Sequence, residues 1–128
     1  MIVFLVFQVD ALANSEAEGV LLKLREDCQT LLIETYNSKN SFVRAAALRA
    51  AGDSHDPKLI SLLVKGVEDY YPTARLFALQ GLKNVSRMEA LAAARNLTDD
   101  PDIWVRSAAV EMLGDEGDLK WQKKFVVI

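Results

Sequence analysis

The sequence predicts an all-α solenoid, an α-α superhelix of antiparallel helix pairs, and three observations carry that prediction. Arginines stand at positions 44, 75 and 106, two successive intervals of 31 residues. Three residues after each comes an alanine, Ala47, Ala78 and Ala109. Around these anchors the apolar residues recur at the three- and four-residue spacing of one helical face. A fixed period of this length means stacked units, because a single helix pair cannot cover its own apolar face.

Composition narrows the class further. The 128 residues fit one domain, and 51% of them are hydrophobic, enough for a real core. Fifteen basic and eighteen acidic side chains leave a formal charge of −3, far from the basic balance of a phosphate-tracking surface, so nucleic acid is not expected as a partner. One cysteine, Cys28, cannot close an intrachain disulfide, and one histidine, His55, cannot build a His-rich metal site. No apolar run reaches the roughly 18 residues of a membrane span.

In chain order, residues 1–13 come first. Met1 to Val9 is apolar apart from Gln8, and Ala11-Leu12-Ala13 resembles a cleavage site after Ala13. The apolar run has the length of a signal-peptide core, but no Lys or Arg precedes it. Two readings stay open: a signal-peptide remnant, which would export the protein, or an ordinary apolar segment packing on the next helix in a cytoplasmic protein. A further copy of the repeat is excluded, because the register would put Glu16 where the other copies have a buried alanine.

Asn14-Ser15 followed by Glu18 reads as a capping box and predicts a helix start. Val20, Leu21, Leu24, Cys28, Leu31 and Leu32 form one apolar face of that helix, with Cys28 expected as a small buried hydrophobe. Residues 14–37 are thus a partial leading unit. Asn37 to Asn40 supply turn chemistry.

Three units follow, at 38–68, 69–99 and 100–128, completing a repeat domain over 14–128. Their first helices contain Phe42-Val43-Arg44, Thr73-Ala74-Arg75 and Trp104-Val105-Arg106. They run on to Ala51, Leu82 and Leu113, then to the stops Gly52-Asp53, Lys83-Asn84 and Gly114-Asp115. Tyr71-Pro72 and Asp99-Asp100-Pro101 mark the starts of the second and third. Second helices carry Leu59, Leu62, Leu63 and Val67, answered by Ala90, Ala93, Ala94 and Leu97, and Asp56-Pro57 opens the earlier one as N-cap and N1 proline. Leu119 to Ile128 reads as the last second helix. It ends on Phe125-Val126-Val127-Ile128 without the polar outer face of a terminal unit, so a longer array is expected.

These residues resemble the HEAT-like repeats of the type first described in phycobilisome lyases, a HEAT/armadillo-type solenoid. The type carries an acidic residue, Val-Arg, spaced alanines, a leucine and a Gly-Asp turn. Asp100 through Asp115 matches it closely and Phe42 through Asp53 nearly as well. The middle copy departs, with Ala74 before its arginine and Lys83-Asn84 at its turn. The resemblance implies paired helices and a structural role for the Asp and Arg positions.

Asp69 and Asp100 each precede an arginine by six residues, so Arg75 and Arg106 are expected to tie their helices to the preceding turn. With Arg44 and the three alanines they form a structural ladder; a phosphate- or carboxylate-binding stripe is the competing reading. His55-Asp56 reads as a solvated imidazole beside a cap. Iron-dependent hydroxylases of HEAT type need several His-Glu pairs, and HEAT-type DNA glycosylases need a basic surface. Lys58, Lys65 and Arg95 interspersed with Glu68, Glu89 and Asp99 do not make one. No phosphate loop, nucleophile elbow or HExxH motif occurs, and Asp115 to Asp118 offers too few ligands for an EF-hand. No cofactor is expected.

The functional expectation is a non-catalytic scaffold that holds a protein or peptide along the polar positions of the second helices. By register these include Asp27, Lys58 and Glu89, then Thr30 and Ser61, then Glu34, Lys65 and Asn96. Trp104, near Tyr70 and Tyr71 in the helix-opening turns, is a further candidate anchor, against a simpler reading as packing over its neighbour turn. The alternative implied by the resemblance is a subunit of a lyase or chromophore-attachment enzyme that binds a bilin or a phycobiliprotein.

Overall fold

A computed structural model describes residues 2–115, which fall into two compact units divided after Leu31. Among these residues there are six α-helices and no strand: α1 (Ile2–Tyr36), α2 (Ser41–Asp53), α3 (Ile60–Gly66), α4 (Pro72–Val85), α5 (Arg87–Leu97) and α6 (Ile103–Asp115). The all-α expectation holds. The helix expected over 119–128 lies outside the described residues.

In the first unit, residues 14 to 18 are all helical, so the expected capping box does not form. A capping box satisfies amides at a helix start, and here earlier turns of α1 already supply carbonyls four residues back. The apolar stripe of this unit is also not buried: Val20, Leu21, Leu24 and Leu31 are exposed, and so is Cys28, contrary to expectation. The unit is one helix, and a lone helix has no second surface on which to bury its own stripe.

The second unit begins with the end of α1, whose Leu32 and Tyr36 pack on the core. Its helix starts are built by local capping. The Asn40 side chain accepts from the amides of Phe42 and Val43 at the start of α2. Asp56 accepts from Lys58 N ahead of a single 3-10 turn, Pro57–Leu59, that leads into α3. Pro72 opens α4 at a position whose amide would be unsatisfied anyway. The start of α6 differs from expectation: Asp102, not Asp99-Asp100-Pro101, accepts from Trp104 N and Val105 N. Asp100 is committed elsewhere, as shown below. The Lys83-Asn84 stop also shifts, because α4 runs on to Val85 and only the extended Ser86, which caps α5, separates the two helices.

Packing follows the 31-residue register. Ala47, Ala78 and Ala109 are buried, as are Leu48 and Leu79, and Leu82 and Leu113. In the second helices, Leu59, Leu62 and Leu63 are buried in α3 and its leading turn, and Ala90, Ala93 and Ala94 in α5. The last pair changes: the buried equivalent of Leu97 is Gly66, one residue before the half-buried Val67. With no Cβ, Gly66 leaves room for the Leu48 and Ala78 side chains.

Glycine also sets the closest helix approach. Gly52, expected as part of a helix stop, lies within α2 and faces Gly81 of α4. A Cβ on Gly52 would come 2.5 Å from the Gly81 Cα, backbone that cannot swing aside. The Asn84 amide donates to the Gly52 carbonyl at 3.3 Å across the same crossing. Beyond it the chain turns through His55, whose φ of 53° is the one positive value among described non-glycine residues. Its exposed imidazole agrees with the solvated reading. Replacement of Gly52 by Ala should therefore destabilise the protein by about 2–3 kcal/mol, the cost of overpacking a close contact. Urea unfolding checks this, and a variant within 0.5 kcal/mol (about the size of an ordinary surface effect) would show that the helices separate freely.

Candidate functional site

The arginine ladder is a set of inter-repeat ion pairs. Arg44 Nε and Nη2 donate to the Asp69 carboxylate at 2.9 and 3.0 Å, and Arg75 Nε and Nη2 donate to that of Asp100 at 2.8 Å each. The third nitrogen closes the turn before its own helix. Arg44 Nη1 donates to the carbonyls of Ser38 and Lys39, Arg75 Nη1 to those of Asp69 and Tyr70, and Arg106 Nη1 to those of Asp100 and Pro101.

The expected tie from each arginine to its preceding turn is thus made, but by backbone carbonyls. The carboxylates do something else. Asp69 accepts the amide of Tyr71, and Asp100 that of Asp102, both at 2.9 Å. Those bonds turn each acid away from the arginine six residues ahead and toward the one 25 residues behind. The guanidinium groups of Arg44 and Arg75 are consumed inside the fold, which leaves no phosphate-binding stripe at these two positions.

The pairs are part-buried and their ionisation reflects it. Burial alone would raise the Asp69 carboxyl, but bonds from Arg44, the Tyr71 amide and the Tyr36 hydroxyl outweigh it and hold the group below the usual carboxylate range. Burial of Asp100 is outweighed in the same way by Arg75 and the Asp102 amide. Arg44 is raised, first by its bond to Asp69. Burial, and then the bond to Asp69, push the Tyr36 phenol to about 12.

The second-helix candidates are only partly brought together. Lys58, Ser61 and Lys65 line one cleft of about 220 Å³ with Ile33, Tyr36 and Leu62. The Lys65 ammonium lies 5.5 Å from the centre of the Tyr36 ring, a cation–π distance. Glu34 is exposed on α1 but does not line this cleft. Glu89 is half-buried at the start of α5, its amide donating to Ser86, and Asn96 is exposed near the other end. Neither lines the cleft. Asp27 and Thr30 belong to the first unit, where Asp27 pairs with Lys23 at 3.8 Å and Thr30 is exposed.

Trp104 stands in the first turn of α6, which is a first helix, and is 72% exposed. It does not pack over a neighbouring turn as the simpler reading had it. Its register equivalent Phe42 makes an edge-on contact with Tyr71, ring centres 5.5 Å apart, while Tyr70 is 96% exposed.

Tyr36 was not among the expected site residues, yet it joins the two features. Its hydroxyl donates to Asp69 at 2.9 Å while its ring floors the lysine cleft. The signal was present: register equivalents Val67 and Thr98 are smaller, so a tyrosine here is a local departure from the repeat. Among the described residues no group of three His, Cys, Asp or Glu side chains could hold a metal ion. Among the described helices none is long and apolar enough to cross a membrane.

A family model for HEAT repeats matches residues 60–123, half of the chain. No curated protein matches the sequence.

Because the folded pKa of Asp69 is depressed, its stabilisation is complete above the unfolded value near 4 and is lost as pH falls below it. Replacement of Asp69 by Ala should cost about 3 kcal/mol at pH 7, because it strands a part-buried arginine and a tyrosine hydroxyl. Urea titrations from pH 7 to pH 2 should show the gap between wild type and variant closing below about pH 4. A gap that stays constant would mean that the ionised carboxylate contributes nothing.

Proposed function

The chain belongs to the HEAT repeats family, and from that premise we propose a non-catalytic interaction module that binds a protein or peptide at the lysine cleft beside α3. HEAT repeats commonly mediate protein–protein interaction. The observation that carries the finer reading is the cleft of Lys58, Ser61 and Lys65 over Tyr36. Two ammonium groups flank an aromatic ring and the apolar Ile33 and Leu62. Such a surface favours an acidic segment with an apolar anchor, since charge complementarity selects the partner and apolar burial holds it.

Replacement of Lys58 and Lys65 by Glu should reduce capture of a partner by the immobilised chain at least tenfold while leaving urea stability within about 0.5 kcal/mol, as for other surface changes. Unchanged capture would place recognition elsewhere.

A chromophore-attachment subunit, the alternative suggested by the resemblance to phycobilisome-lyase repeats, has one observation in its favour. Cys28 is exposed rather than packed in an apolar face. Incubation with free bilin should then shift the pigment's absorbance, and the shift should vanish in the Cys28→Ser variant. No shift would end that reading.

A further inference from the structure

Arg106 repeats half of what Arg44 and Arg75 do. Its Nη1 donates to the carbonyls of Asp100 and Pro101 at 2.8 and 3.0 Å, the same clamp on the preceding turn. In the other two repeats the Nε–Nη2 edge of the clamped guanidinium holds an aspartate in bidentate fashion. Among the described residues, that edge of Arg106 meets no carboxylate. It faces a cleft of about 440 Å³ lined by Ile103, Arg106, Ser107, Val110 and Glu111. Burial agrees: Leu48 and Leu79, the register equivalents of Val110, are fully buried, whereas Val110 is only half-buried. A clamped arginine is a preorganised receptor, because its orientation is already fixed before the acid arrives.

The geometry points to this end of the stack as a docking face for another protein's helix–turn–helix unit, with Arg106 receiving an aspartate from that unit's inter-helix turn. The chemistry of the occupant is read from the two filled copies, in which the acid is a turn aspartate whose carboxylate also accepts the amide two residues on. Asp69 and Asp100 are themselves engaged. A second copy of the chain stacking in register would offer Ser38, the residue 31 positions before Asp69, and so a hydroxyl in place of the carboxylate. That leaves a different chain as the donor. This face is separate from the lysine cleft, so the inference does not depend on that site.

Ser38 also provides the probe. Its Oγ already accepts the Asn40 amide at 3.1 Å, as Asp69 accepts that of Tyr71, so Ser38→Asp should place a carboxylate in the turn geometry of the filled copies. Unlabelled Ser38→Asp/Arg106→Gln chain, able to donate but not to receive, is titrated into ¹⁵N-labelled wild type while the arginine Nε–H signals are followed. The Arg106 signal should move saturably toward the positions of Arg44 and Arg75, and a Ser38→Asn/Arg106→Gln chain should bind at least tenfold more weakly. The same titration into the Lys58→Glu/Lys65→Glu variant should be unchanged.

An Arg106 signal that stays still with the aspartate donor overturns the proposal. So does an equal response to the asparagine donor, which would make the contact apolar. So, too, does an Arg106 signal that already lies with the other two in the chain alone and is released by Glu116→Gln/Asp118→Asn, because the chain's own acids would then be the occupant.

Discussion

Each repeat is tied to the next by an arginine that holds two things at once. One nitrogen closes the turn before its own helix, and the opposite edge grips an aspartate from the turn of the following repeat. The aspartate in turn accepts a backbone amide two residues on, which fixes its carboxylate before the arginine meets it. Because both partners are pre-aligned by backbone, the pair specifies a register as well as contributing energy. A solenoid needs such a device: alanine- and leucine-rich faces are interchangeable enough that apolar burial alone would tolerate a slipped stack.

Small residues make that register affordable in space. Gly52 against Gly81 lets the backbones of α2 and α4 approach, and Gly66 makes room for Leu48. The second helices divide their volume unevenly, with leucines on the α3 side and alanines in α5. In such a stack the interior is committed to packing, and what is left for recognition is the polar edge. The lysine cleft and the ladder meet at Tyr36, so the residue that shapes the binding surface is also bonded to the pair that holds the first repeats together.

The repeat was legible because its period rests on residue types that have few substitutes at their positions. An alanine at 47, 78 and 109 is required by close helix packing, and an arginine at 44, 75 and 106 by a three-nitrogen clamp. The starts of α2 and α4 followed from Asn40 and Tyr71-Pro72 for the same reason: capping is a matter of a few adjacent residues. Ser86 and Glu89, which share the Ser-x-x-Glu pattern of a helix start, could have been read in that way as well. Asn14, Ser15 and Glu18 carry an equally good local signal and are nevertheless inside a helix, because a cap matters only where the helix has not already begun.

The sequence by itself determined the class of the fold, the 31-residue register, the alanine and leucine core and most helix starts, all properties that depend on neighbours within one or two turns. Only the tertiary structure decided which arginine each aspartate serves, that Gly52 is a helix contact, that Cys28 is exposed, and that Lys58 and Lys65 share a cleft with Tyr36 while Glu89 and Asn96 do not. An acid six residues before one arginine and 25 after another is ambiguous in one dimension. The direction its carboxylate points is set by a backbone amide in the folded turn, and that resolves it.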